Sequence, residues 1–92
     1  MSERNILVLA RRDHAEAMRI AAGLTIFGHR VRLVFMSHVV EDTPVNTEMA
    51  ELLELSEITP QTTVAEMEGE LDLLSPTALA EAITHSDHVI SA

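Results

Sequence analysis

Apolar and polar positions alternate along this chain in blocks that change period. Residues 5–10, "NILVLA", form a continuous apolar run bounded by polar residues. Such a run predicts a strand buried on both faces, as in a parallel sheet. From Ala17 the period becomes helical: Ala17, Ile20, Leu24 and Phe27 recur at helix spacing, widened by Met18 and Ala21, with Glu16, Arg19 and Gly23 on the polar side. Asp13 followed by Glu16 resembles a capping box, and Gly28 is the expected left-handed stop. "RVRLVFMS", residues 30–37, returns to period two, with Val31, Leu33 and Phe35 on one face and Arg32, Val34 and Met36 on the other. Two strands joined by such a helix predict a right-handed, parallel βαβ unit.

The pattern then weakens. "HVVEDTPVN", residues 38–46, reads as a loop punctuated by Pro44. A helix is expected over residues 47–58, with Met49, Leu52, Leu53 and Leu55 facing inward and Glu48, Glu51, Glu54 and Glu57 forming a solvated stripe. "TPQTTVA", residues 59–65, predicts a short strand rich in β-branched residues. "EMEGELDLL", residues 66–74, gives no decided period, and Gly69 suggests a turn or a frayed helix. Ser75-Pro76 is a helix entry, Ser as N-cap and Pro at the first helical position, and that helix should run to about His85. "DHVISA" closes the series as a strand. The alternation predicts one α/β domain over residues 1–92, a small flavodoxin-like three-layer sandwich with about four mostly parallel strands and helices on both faces.

Composition narrows what such a domain can do. Ninety-two residues, 47% hydrophobic, suit a single globular domain. Phe27 and Phe35 are its only aromatic side chains, which disfavours base-stacking nucleic-acid modules. Cysteine is absent, which excludes disulfides, thiolate metal sites, thiol nucleophiles and persulfide carriers. Lysine is absent too, removing a Walker-type phosphate lysine and Schiff-base chemistry. No apolar run reaches membrane-spanning length and the opening residues lack a signal-peptide pattern, so a cytoplasmic protein without a membrane partner is expected.

Charge is unevenly placed. Residues 1–32 carry all six arginines against Glu3, Asp13 and Glu16, a net of +3. Residues 33–92 carry twelve acids and no Lys or Arg, a net of −12, which together give the chain's −9. Such a balance repels nucleic-acid backbones. The asymmetry is open to three uses: neutralisation within the fold, docking between subunits, or a solvated acidic surface.

Ligands of open parallel sheets gather at the carboxyl ends of the strands. There this chain offers Arg11 and Arg12, then Ser37 and His38, then Ala65 and Glu66, then Ser91. The first turn lacks every glycine of a dinucleotide fingerprint, so a nucleotide is not expected. Arg11, Arg12 and His38 are the candidate binders of a small anion or other small ligand. His85 and His88 are three apart, a spacing that would share a helix face, but the helix is expected to end near Ser86, so no metal site is expected; no nucleophile–base set is spelled out, and no cofactor or catalytic residue is expected.

The segment "NILVLARRDHAEAMRIAAGLTIFGHRVRLVFM" resembles the DsrE/DsrF-like family, which includes the TusB, TusC and TusD subunits, and "SPTALAEAITHSDHVISA" is similar to that family's close, with Asp87 before a final "V-I-S" strand. The resemblance implies an α/β sandwich that assembles into homo-oligomers or into hetero-oligomers with related subunits. Some members relay sulfur on a cysteine after the third strand; here that region reads "TTVAEMEGE", residues 62–70, with no cysteine. Size and missing cysteine bring the chain nearer the small TusB/DsrH type. The resemblance therefore implies a non-catalytic oligomeric subunit, a structural partner in intracellular sulfur relay or oxidation, and carries no functional residue across. A small-anion or small-ligand binding protein is the alternative.

Overall fold

A computed structural model describes residues 3–92. The chain runs β1 (Asn5–Ala10), α1 (His14–Ile26), β2 (Arg30–Phe35), α2 (Pro44–Leu55), β3 (Gln61–Thr62), a 3₁₀ turn (Ala65–Met67), β4 (Asp72–Leu73), α3 (Pro76–His85) and β5 (His88–Ser91). The sheet has five strands in the order β4-β3-β2-β1-β5, and every pairing is parallel. The fold is thus α/β, and its sheet is one strand wider than the expected four.

Side-chain alternation sorts the core into two layers. Ile6, Val8 and Ala10 of β1 join Leu33 and Phe35 of β2 under Ala17, Met18 and Ala21 of α1 and Leu53 of α2. Leu7, Leu9 and Val34 point the other way, against Ala82 and Leu79 of α3. Two helices therefore cover one face and a single ten-residue helix crosses the other. The thinner face stays wet beyond α3: exposed Arg32 donates to the side chain of Gln61 on the neighbouring strand at 2.8 Å.

The first and third helices begin where the sequence places a cap. Asp13 accepts from the Glu16 N–H (3.0 Å), and Ser75 accepts from Ala78 with Pro76 in the first turn. The first helix ends on Gly28 at φ +88°, with Gly28 and His29 donating back to Thr25 and Leu24.

The second helix is displaced from its expected span of 47–58. Thr43 accepts from the Asn46 N–H at 3.1 Å and Pro44 opens the first turn, so α2 starts three residues earlier. It ends at Leu55, where Glu57 takes the left-handed conformation (φ +60°) and Glu57 and Ile58 donate back to Glu54 and Leu53. This is the same stop as at Gly28, built on a residue that does not announce it.

The strand expected over 59–65 is cut to two residues by one hydroxyl. Thr62, fully buried, donates to the Phe35 carbonyl (3.0 Å) and accepts from the Val64 N–H (3.0 Å). That second bond turns the chain out of the sheet. The undecided stretch after it becomes the 3₁₀ turn and then β4, after Gly69 at φ +103°.

Two substitutions test this packing. Leu7→Ala, at a site with no exposure, should cost about 2–5 kcal/mol in urea unfolding. Thr62→Val keeps the shape but strands the Val64 N–H, and should cost about 1–3 kcal/mol.

Candidate functional site

The carboxyl ends of β1 and β2 meet the start of α1. Sheet winding reverses between β1 and β5, and in such folds that switch point is where a ligand cleft opens. Here the chain closes it. Ala92 follows β5, donates to the Leu9 carbonyl, and its own carbonyl accepts from both the Arg11 and Arg12 N–H groups at 2.8 Å each. The turn's backbone donors are thereby engaged, and Arg11 and Arg12 extend exposed side chains.

The open cleft lies one strand over, between β1 and β2. It holds about 340 Å³ and is lined by Arg12, Asp13, His14, Ala15, His38, Glu41 and Asn46. Of the residues expected from sequence, Arg12 and His38 share this cleft and Arg11 is not among its walls. Among the described residues the backbone N–H groups of His14 and Ala15, at the first turn of α1, have no hydrogen-bond partner.

The wall is organised by His14. Only 4% exposed, its ring packs edge-on to Phe35 (centroids 5.2 Å, planes at 66°) and stacks on His38 (4.2 Å, 13°). Its Nε2 lies 3.3 Å from the Met36 carbonyl, so in the neutral ring that nitrogen is the donor.

His38 reaches this position through a tight reversal. Its N–H donates to the same Met36 carbonyl at 2.9 Å, and the intervening Ser37 has φ +75°. That hydrogen bond across one residue at positive φ is a γ-turn of the rare, strained kind. Strain of this sort persists only where the surroundings hold it, and here the stacked imidazoles and the shared carbonyl do so. On the far side Asn46 donates from Nδ2 to the Glu41 carbonyl at 2.9 Å, tying the 38–43 loop to α2.

Burial holds the His14 pKa below the ordinary 6.5, and the nearby His38 adds to that effect. The carbonyls of Met36 and Ala10 and the Asp13 carboxylate oppose it more weakly. His14 is therefore a packed neutral imidazole whose ring holds the loop. Among the described residues no hydroxyl is hydrogen-bonded to either imidazole, and no group of three or more His, Asp or Glu side chains converges as metal ligands.

Of the cleft's other walls, the sequence marks Asp13 as a helix cap and gives no role to His14, Ala15, Glu41 or Asn46. His14 had one usable signal, a histidine directly after an N-cap aspartate at a strand end. Glu41 and Asn46 had none, because their approach depends on where the loop and the start of α2 fall.

Direct neutralisation within the fold is limited to two ion pairs among the described residues. Among the described residues the ion pairs are Arg19 with Glu16 and Arg30 with Glu3, both within the arginine-bearing first third. The twelve acids of residues 33–92 have no ion-pair partner there, which leaves that part of the surface acidic.

His14 makes folding stability depend on pH. The unfolded chain takes up this proton near pH 6.5, while the folded chain resists it until lower pH. Its contribution is complete above about pH 6.5 and is lost as pH falls through the interval below. Urea midpoints should therefore drop between about pH 7.5 and 5.5, and His14→Gln should flatten that drop while lowering the midpoint at the higher pH.

Comparison with protein-family models, with curated proteins and with solved structures finds no match for this chain.

Proposed function

We propose that this chain is a non-catalytic, self-associating subunit whose assembly surface lies at the amino end of the sheet. One observation carries the reading. Phe27, one of only two aromatic residues, is 76% exposed, beside Ile26 at 74%, and Leu55 at the end of α2 is 83% exposed. Both helices pack on the same face and both return antiparallel to the strands, so these three side chains crown the same end of the fold.

Scattered exposed apolar residues are ordinary on a monomer. Large apolar side chains exposed at two helix termini on one end of the fold are less so, and aromatics of this kind anchor protein interfaces. The lack of cysteine and lysine and the held, neutral His14 support a structural role over a chemical one. Under the DsrE-like resemblance the role would be that of a partner in sulfur handling, built from copies of this chain or from this chain with related subunits.

Sedimentation velocity tests the assembly. The protein should sediment as a dimer or larger species, and a variant carrying Ile26→Asp, Phe27→Asp and Leu55→Asp should sediment as a monomer with unchanged circular dichroism. A wild-type monomer up to about 100 μM, a range in which stable subunit contacts persist, would sink the proposal.

A second reading rests on the cleft. Arg12, His38 and the two unpaired N–H groups of α1 suit a small anion. Titration with sulfate or acetate, followed by amide NMR, should then shift the His14 and Ala15 resonances saturably. Arg12→Ala with His38→Ala should weaken that binding about tenfold.

A further inference from the structure

A second cleft lies between α2 and the segment 58–71. It encloses about 270 Å³. Its floor is Met18, Phe35, Leu53 and Met67, each of them buried, and Ile58 and Leu71 close its sides. Among the described residues its charged walls are Glu54 and Glu70, both exposed and both acidic. It shares Asn46 with the histidine-lined cleft and is otherwise a separate site.

From these walls we infer a binding site for a small amphipathic organic cation: an alkyl or aryl ammonium whose apolar body enters the cleft while its charged head stays at the mouth. The floor fixes the body. Two methionines, a phenylalanine and a leucine offer aliphatic and polarizable surface that adapts to an unbranched chain or a single ring. The size suits a ligand of that scale.

The mouth fixes the head. An ammonium between Glu54 and Glu70 gains from both carboxylates and remains hydrated, whereas a carboxylate head would meet two like charges. No Lys or Arg occurs anywhere in residues 33–92, and among the described residues neither glutamate has an ion-pair partner. The negative field at the mouth is therefore not cancelled locally. Charge complementarity selects a cation over the other amphiphiles the floor would accept.

Methyl NMR with three six-carbon probes tests this. Hexylammonium should shift the Met18 and Met67 methyl resonances saturably, with hexanol weaker and hexanoate at least about fivefold weaker than the ammonium. Glu54→Gln with Glu70→Gln should bring hexylammonium and hexanol within about twofold of each other, since each exposed pair contributes little alone. Ala50→Leu, at an exposed α2 position on the cleft rim, should block all three without unfolding the helix.

Three results would overturn the inference. One is no saturable shift at Met18 and Met67. Another is hexanoate binding as tightly as hexylammonium. The third is ammonium binding that survives Ala50→Leu, which would place it on the general acidic surface.

Discussion

Everything in this fold depends on burying both faces of β1. That strand lies between β2 and β5, so its backbone is paired on both edges. Its side chains feed both core layers: Ile6, Val8 and Ala10 on one side, Leu7 and Leu9 on the other. A strand in that position needs helices on both faces, which in turn requires the chain to cross the sheet in both directions. The reversal of winding beside β1 follows from the same need. So does the location of the site, since the end of a central strand is where several elements converge and backbone donors collect.

What happens at that end is decided by competition for those donors. The Arg11 and Arg12 N–H groups are taken by the Ala92 carbonyl, and the Glu16 N–H by Asp13. The switch-point crevice is thereby filled by the chain. The neighbouring cleft stays open because the Met36 carbonyl gathers His14 and His38 and the strained turn at Ser37 folds the loop back over them. A histidine at a strand end thus serves the architecture, while His14 and Ala15, whose N–H groups are left over, line the cleft.

The first and last thirds were legible because their signals are local and agree with one another. The apolar run at 5–10, the Asp13 cap, the Gly28 stop and the Ser75-Pro76 entry each specify backbone conformation within a few residues, and the folded chain uses all of them. The middle was harder for identifiable reasons. Glu57 stops α2 in a conformation normally read from glycine. Thr62 ends β3 through a side-chain hydrogen bond that β-propensity does not encode. The two-residue β4 has too few positions for a period to be recognised.

The sequence by itself determined the α/β class, the order of most elements, the aliphatic nature of the core and the absence of thiol and lysine chemistry, because each follows from residue type or from periodicity over short range. Tertiary structure alone decided which strand ends meet, that Arg12 joins His38 while Arg11 does not, that His14 is buried, and that Phe27 is left in solvent. These are outcomes of long-range pairing, where a three-residue shift in a helix or one buried hydroxyl redirects a loop. A pattern along the chain records which residues prefer burial, and only the folded sheet sets which of them find a neighbour.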